Sequence, residues 1–310
     1  MPTNSQVLTP HLWFDKEVKQ AAEFYCSLFP QSKVSNVTVL HDTPSDTPSG
    51  DTDIVTFTLA GQPFMAISAG PLFKFNPSIS FIVNFDPSRD PKARENLDKA
   101  WGKLSEGGKA LMPLQEYPFS KWFGWIEDKY GLSWQLMLTD PAGEERPFII
   151  PALMFAGEKA GRAEEALEFY LSVFKRTKKG SVMRHPKGME FDKEGTVQFA
   201  DLMLEGTWLA LMDSAYPHGF DFNESISFIV TCENQKSIDY YWEKLSAVPE
   251  SEQCGWLKDK FGVSWQVVPT EMDEMLAGGT REQIDRVTQA FLPMKKIIIA
   301  DLEKAFKGGG

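Results

Sequence analysis

The chain has few of the residues on which disulfide, zinc and histidine chemistry depend. Its 310 residues include three cysteines and four histidines. The cysteines, Cys26, Cys232 and Cys254, are odd in number and form no C-x-x-C pair, which argues against a disulfide scaffold or a zinc finger. We expect free thiols in a reducing compartment, and therefore a cytoplasmic protein.

Positive charge and long apolar runs are also lacking. The formal net charge is −11, whereas a nucleic-acid or anionic-membrane surface requires an excess of Lys and Arg. No apolar run is long enough to span a bilayer, and the opening residues, MPTNSQVLTP, do not resemble a secretory signal. The chain contains no G-x-S-x-G motif and no phosphate-binding loop. The sequence therefore predicts no nucleic-acid or membrane partner and shows no nucleophile constellation.

What the sequence does contain is a repeat. The frame G-W-x-x-D-K-x-G-x-S-W-Q begins at Gly124 and again at Gly255, 131 residues later. The frame F-N-x-S-I-S-F-I-V occurs at Phe75–Val83 and at Phe222–Val230, 147 residues apart. A period of this length is too long for a solenoid, so each copy is predicted to be a domain. The shorter second offset indicates that copy two has lost residues between its two frames.

The repeat gives the domain organisation. We predict a first domain at residues 7–140, a linker at 141–148, a second domain at 149–270 and a helical tail at 271–310. Alternating apolar residues, helical stripes and turn signals predict two β-α-β-β-β modules, and so eight strands, in each domain. In copy two the hairpin between Trp242 and Gly255 is shortened. The predicted fold class is α+β.

The tail has no counterpart in copy one. Ile284, Val287, Phe291 and Ile298 form a helical apolar stripe that is interrupted at Pro293. Such a stripe must pack somewhere, on its own domain or as a clasp across the two copies or across a dimer. We expect the two copies to form an internal pseudo-dimer with the tail packed across both, and a further homodimer stays open.

The final frame and the tail resemble the PhnB-like proteins. The segments concerned read GWLKDKFGVSWQVVPT at residues 255–270 and RVTQAFLPMKKIIIADL at residues 286–302. This group, also catalogued as the 3-demethylubiquinone-9 3-methyltransferase domain, is part of the vicinal oxygen chelate superfamily, with glyoxalase I, extradiol dioxygenases and bleomycin-resistance proteins. The resemblance covers residues 7–305. It implies that two modules join edge to edge in an open half-barrel whose concave face holds the ligand.

The resemblance also names the positions at which related proteins hold a metal. Metal-dependent members use His, Gln or Glu side chains on three strands of a site. The corresponding positions here are His11 and Ala152 on the first strand, Ser78 and Ser225 on the fifth, and Gln135 and Gln266 on the eighth. Hydroxyl and amide groups are weaker ligands for a divalent ion than carboxylates and imidazoles. We therefore expect no divalent metal and no other cofactor.

The candidate ligand-binding residues are those expected on the two concave faces. Strand alternation places His11 and Trp13 on one face, where His11 either contacts the ligand or is a hydrogen-bonded structural histidine. Trp134 and Trp265 alternate with the glutamines and are expected in the core. The full predicted set is His11, Trp13, Ser78, Ser80, Trp125, Gln135, Ser225, Ser227, Trp256 and Gln266.

Three hypotheses on function follow. The absent metal triad and the nine Trp and 23 Phe favour a small-molecule-binding protein with an apolar cup. The alternative is an isomerase, lyase or dioxygenase-like enzyme acting on a small oxygenated or aromatic substrate, for which His11 with Gln135 is the supporting pair. In the third, one copy is only a scaffold, and copy two, with Ala152, is the candidate. The methyltransferase name does not predict the activity, because no Gly-rich strand-to-helix turn could hold S-adenosylmethionine.

Overall fold

The structure is a computed structural model that describes residues 8–43, 47, 50–140 and 145–308. Residues 7 and 141–144, where we place the start of the first domain and half of the linker, lie outside the described residues. The strands are β1 Leu8–Phe14, β2 Lys33–Leu40, β3 Thr52–Leu59, β4 Gln62–Ser68, β5 Ile79–Phe85, β6 Lys109–Tyr117, β7 Ser120–Glu127, β8 Ser133–Leu138, β9 Ile149–Phe155, β10 Thr177–Arg184, β11 Val197–Leu204, β12 Thr207–Asp213, β13 Ile226–Cys232, β14 Trp256–Lys258 and β15 Ser264–Pro269. The helices are α1 Val18–Leu28, α2 Ala93–Ser105, α3 Ala163–Val173, α4 Gln235–Leu245, α5 Thr270–Gly278, α6 Arg281–Phe291 and α7 Ile299–Lys307.

The element order repeats the predicted β-α-β-β-β module, with one exception in copy two. Copy one supplies eight strands, β1 to β8, but copy two supplies seven, β9 to β15. The prediction of eight strands in copy two is therefore wrong. A single turn of 3-10 helix at Pro249–Ser251 stands where copy one has β6, because the segment between α4 and β14 is too short for another strand of the hairpin.

The two sheets do not coincide with the two copies. One sheet has seven strands in the order β14-β15-β13-β1-β4-β3-β2, and the other has eight in the order β10-β11-β12-β9-β5-β8-β7-β6. Antiparallel pairing of β1 with β13 and of β5 with β9 joins the copies. Each half-barrel therefore combines the first module of one copy with the second module of the other, rather than both modules of one copy.

A single apolar core lies on the helix-covered faces of both sheets. It includes buried residues of α1 to α4 and of strands from each sheet. Trp134 and Trp265, predicted as core, are 0% and 1% exposed. Helix α1 packs on β3 of the seven-stranded sheet, yet its Tyr25 ring lies 5.2 Å from Trp134 in the other sheet. The two modules of one copy thus meet through their helices, while their strands pair with the other copy.

The repeated frame builds the same turn twice. Asp259 accepts hydrogen bonds at Oδ1 from the backbone N–H groups of Phe261 and Val263, and at Oδ2 from the Trp265 indole at 2.9 Å and the Tyr170 hydroxyl at 2.7 Å. Asp128 makes three of these bonds in copy one, with the backbone N–H groups of Tyr130 and Leu132 and with the Trp134 indole. The D-x-x-G turn and the buried Trp that follows are therefore parts of the scaffold.

The C-terminal helices pack on the seven-stranded sheet, on the face that bears His11. We call this surface the His11 face; it also carries Met65, Ser227 and Gln266, since these residues share its side of the pleat. An apolar cluster joins the tail side chains Met272, Leu276, Val287, Phe291, Ile297 and Leu302 to the strand side chains Leu40, Ile54, Met65, Ile229 and Val268. These strand residues come from both copies, so the tail clasps the two copies together.

The tail also occupies the sheet edge where copy two lacks a strand. The backbone N–H groups of Cys254 and Gly255 donate to the carbonyl oxygens of Met294 and Lys295 at 2.6 and 2.8 Å. Cys254 corresponds to Phe123 of copy one, which pairs with Gln115 of β6. The tail thus satisfies backbone groups that the missing strand would otherwise pair with. No helix among the described residues is long and apolar enough to cross a membrane.

Removing the tail is expected to destabilise the fold. Deleting residues 270–310 exposes Leu40, Ile229 and Val268, and each fully buried large side chain contributes roughly 1.5–3 kcal/mol. We expect the free energy of unfolding, measured by urea denaturation, to fall by several kcal/mol. In the full chain, Phe291→Ala should cost about 3–5 kcal/mol, whereas Ile298→Ala, at a residue that is 36% exposed, should change little. Equal stability of the truncated and full chains would contradict this role of the tail.

Candidate functional site

The His11 face gathers residues from both copies. His11 on β1 lies opposite Ser227 on β13, and the Gln266 side chain on β15 donates from Nε2 to Ser227 Oγ at 2.9 Å. The His11 ring meets the Trp256 ring edge-on with 5.2 Å between centroids, and Trp13 lies 6.1 Å from Trp256. Five of the predicted residues therefore form one group.

The sheet curves towards this face. Strand β14 is three positions from β1 in the sheet order, so flat strands about 4.8 Å apart would hold them roughly 14 Å from one another. The contact between His11 and Trp256 closes that distance. The His11 face is therefore the concave side, as a half-barrel requires.

The eight-stranded sheet carries the equivalent group, which we call the Gln135 face. Gln135 on β8 donates from Nε2 to Ser80 Oγ on β5 at 2.8 Å, and Ser80 lies opposite Ala152 on β9. Trp125 on β7 lies opposite Gln135 and packs in one cluster with Met154 of β9. Here too side chains of β7 and β9, three strands apart, meet across the face.

Ser78 and Ser225 do not join the glutamines. Each lies directly before the first residue of its strand, β5 or β13, and each forms a hydrogen bond with the asparagine two residues earlier. The Ser225 hydroxyl donates to Asn223 Oδ1 at 2.6 Å, and the backbone N–H of Ser78 donates to Asn76 Oδ1 at 2.8 Å. The fifth-strand residues that contact the glutamine amides are Ser80 and Ser227, two positions further on.

The proposed pairing of His11 with Gln135 is not formed. His11 belongs to the seven-stranded sheet and Gln135 to the eight-stranded sheet. Because the modules are exchanged between the copies, His11 shares a sheet with Gln266, and Ala152 shares a sheet with Gln135. The constellation on which the enzymatic alternative depended is therefore absent, and the combinations present are His11–Ser227–Gln266 and Ala152–Ser80–Gln135.

His11 is a neutral and unpaired imidazole. It is 2% exposed, and its buried Nδ1 has no hydrogen-bond partner among the described residues. Burial lowers the pKa of His11 from 6.5 to about 3, because the folded protein offers the imidazolium little solvation. At neutral pH the ring carries no charge.

Neither face offers a donor set that fits a divalent metal. The His11 face supplies one imidazole, one hydroxyl and one amide, and the Gln135 face supplies only a hydroxyl and an amide. Divalent transition-metal ions prefer imidazole and carboxylate ligands in sites of this kind. Among the described residues, no group of three or more His, Cys, Asp or Glu side chains is arranged as a metal site.

The two faces differ in what covers them. The tail helices pack on the His11 face, as described above. On the Gln135 face, one apolar cluster consists only of strand residues: Ile82, Ile150, Ala152 and Ala210, with half-buried Met137, Phe199, Trp208 and Met212. The second joins Trp125, Phe123 and Met154 to residues of the β6–β7 hairpin and to Phe220. The Gln135 face is the face that the tail leaves uncovered.

Sequence reasoning missed part of the Gln135 face. Met154, Met137 and Phe123 are on it, but their apolar character alone did not distinguish the concave from the helix-covered side. Strand parity could have placed Met137 and Phe123, since each lies two residues from a predicted site residue, Gln135 or Trp125. Phe220 lies in a loop, where periodicity carries no information.

Two cavities lie outside the amide–hydroxyl centres of the two faces. One of ≈ 290 Å³ lies between β2 and the tail, lined by Val37, Leu276 and Ile284 among others. The other, of ≈ 550 Å³, opens beside Trp13 and is lined by Lys74 and Lys129 among others. Neither includes Gln135 or Gln266 in its lining.

Comparison with known proteins identifies the family. Residues 6–137 and 147–268 each match the model of the 3-demethylubiquinone-9 3-methyltransferase family. The chain belongs to this family. No curated protein matches it. A Bacillus cereus structure described as a 3-demethylubiquinone-9 3-methyltransferase and PhnB protein is 40% identical over 42% of this chain and 98% of its own, with a TM-score of 0.37.

A second comparison concerns the fold alone. The structure of glyoxalase I from Zea mays is 14% identical in sequence to this chain. The match covers 87% of this chain and 95% of the glyoxalase chain, with a TM-score of 0.52. The tandem family match and this likeness confirm the predicted fold class, an α+β protein of two tandem domains with a glyoxalase-like fold and a C-terminal helical tail. They confirm the resemblance to the PhnB-like group and leave the activity open.

The buried, neutral His11 side chain is expected to make the stability of the fold depend on pH. The pKa of His11 is lower in the folded chain than in the unfolded chain, so below pH 6.5 the unfolded chain takes up a proton that the folded chain does not. The free energy of unfolding is therefore highest above pH 6.5 and falls as the pH is lowered towards about 3. Between pH 7 and pH 5, His11 is expected to lower the free energy of unfolding by about 2 kcal/mol. In His11→Leu the loss should be smaller by that amount, and at pH 7 the variant should be at least as stable, since no hydrogen bond is lost at Nδ1. Equal pH slopes in urea unfolding of the two proteins would contradict the assignment.

Proposed function

We propose that this protein binds a small organic molecule on the Gln135 face. The carrying observation is that two equivalent concave faces exist and that the tail packs on only one of them. The uncovered face pairs an amide–hydroxyl group at its centre with an apolar surround. Ligand sites typically combine a mostly apolar lining with a few placed polar groups.

The polar centre supports this reading. Gln135 Nε2 is bonded to Ser80 Oγ, and among the described residues the amide oxygen of Gln135 and the hydroxyl proton of Ser80 have no further partner. An amide oxygen and a hydroxyl are thus left beside each other at the centre of an apolar face. A ligand or a water molecule can complete the hydrogen bonds of both groups.

The surround supports it as well. Ala152 lies opposite Ser80, at the position where the other face has His11, so a methyl group stands beside the polar centre in place of an imidazole. Met137 and Met154 flank the same centre, and methionine side chains adapt to irregular apolar shapes. The scaffold role that we considered for copy two therefore does not fit, because Ala152 belongs to the uncovered face and His11 to the covered one.

We propose that binding occurs without a metal or another cofactor, since neither donor set fits a divalent ion. The ligand is the one partner proposed; nucleic acid and membrane are not, given the net charge of −11. The three cysteines are free in the structure, which supports a reducing, cytoplasmic location.

A matched pair of variants tests the proposal. Gln135 and Gln266 are equivalent, 6% and 7% exposed, and each is bonded to one serine, so Gln→Leu should cost similar stability at both. We expect native mass spectrometry of protein purified from cells, or thermal shift against a library of small organic compounds, to show one ligand per chain. Gln135→Leu should weaken binding about tenfold, as for loss of a hydrogen bond of 1–2 kcal/mol, whereas Gln266→Leu should retain it. Binding that depends on Gln266, or no binding by either method, would contradict the proposal.

A further inference from the structure

Two aromatic arms flank the uncovered face. The first, arm one, is the β6–β7 hairpin, which carries Tyr117, Phe119 and Phe123. The second, arm two, is the loop that follows β12 and carries Tyr216, His218 and Phe220. Phe123 of arm one and Phe220 of arm two join Trp125 and Met154 in a single cluster. The arms come from different copies and converge at the Gln135 face.

Each arm is a continuous series of ring contacts. In arm one, the Phe119 ring stacks on Tyr117 at 5.5 Å and meets Phe123 edge-on at 5.0 Å. In arm two, Tyr216 lies 5.0 Å from His218, which stacks on Phe220 at 4.8 Å. The Ser214 hydroxyl lies 2.8 Å from His218 Nε2 and fixes that ring. Phe191, from the loop after β10, extends arm two at 5.0 Å from Tyr216.

The outer rings of both arms are exposed. Phe119, Phe191 and Tyr216 are 54%, 44% and 50% exposed, and they are the three exposed aromatic side chains in the part of the chain that the structure describes. Exposed aromatic side chains scattered over a surface need no explanation, but a group of them confined to one face marks an interaction site. All three here belong to the arms of one face.

We propose that the ligand of the Gln135 face is a planar aromatic molecule with one hydrogen-bonding edge, such as a phenol or an aromatic amide. The inference rests on the proposed function and adds the ligand class. The hydrogen-bonding edge meets the free oxygen of Gln135 and the hydroxyl of Ser80, and the ring system lies between arms one and two. Aromatic rings prefer offset-stacked and edge-to-face neighbours, which both arms present.

The test compares a planar aromatic probe with its saturated, non-planar analogue. 2-Naphthol and its saturated analogue decahydro-2-naphthol share the hydroxyl and the carbon skeleton. By isothermal titration calorimetry we expect 2-naphthol to bind one per chain and about tenfold more tightly than the saturated probe, because ring–ring contacts add to simple burial. Equal affinity for the two probes would overturn the aromatic class while leaving the proposed function in place.

Variants on the arms separate the remaining outcomes. Phe119→Leu and Tyr216→Leu should each reduce the preference for 2-naphthol about threefold without changing the affinity for the saturated probe or the melting temperature, since both side chains are exposed. Leu72→Ala, at a residue that is 70% exposed in another loop, is the control and should change neither affinity.

Two further results would overturn the inference in different ways. If neither probe binds although a non-aromatic ligand co-purifies, the class is wrong and the function stands; if nothing binds at all, both fail. If light scattering shows a dimer that Phe119→Leu or Tyr216→Leu dissociates, the arms are an interface between copies of this chain and not a ligand clamp.

Discussion

Pairing of β1 with β13 and of β5 with β9 is the constraint on which the rest of the structure depends. These antiparallel ladders are where one copy ends within each sheet and the other begins. Without them each module would present an open edge of unpaired N–H and C=O groups. Because of them, each concave face takes its first-strand residue from one copy and its glutamine from the other, so neither copy holds a complete site.

The lost strand of copy two and the added tail are two sides of one arrangement. In copy one, β6 pairs with β7 and its hairpin carries aromatic rings over the Gln135 face. In copy two the hairpin is reduced to one 3-10 turn, and the segment after α6 bonds to Cys254 and Gly255 instead. A full hairpin at this edge would occupy the space that Ile297 now fills, which lies 3.2 Å from the position of a Cβ built on Gly255. The shortening is therefore what admits the tail to the His11 face.

The sequence predicted the parts of the fold that are encoded locally. The equal spacing from Asp128 to Gln135 and from Asp259 to Gln266 placed both glutamines, because the turn and the strand after it are short and repeat the same residues. The partner of β1 could not be predicted, because the candidates β5 and β13 both begin I-S-F-I-V after a serine. Since both candidate partners offer β1 the same side chains, the pairing of β1 is decided by the packing of the helices and by the linker. For this reason the sequence paired His11 with Gln135, whereas the structure places these two residues in different sheets.

The asymmetry of the two faces follows from a few positions that the repeat does not share. At the first-strand position, Ala152 places a methyl group beside its serine and glutamine, whereas His11 places there an imidazole whose Nδ1 has no described partner. A buried neutral imidazole without a hydrogen bond weakens the fold, and the tail compensates by burying apolar side chains of both copies around it. The His11 face thus contributes mainly to joining the copies. The ligand site that we propose is therefore on the Gln135 face, where the same amide–hydroxyl pair lies beside an alanine, two methionines and two aromatic arms.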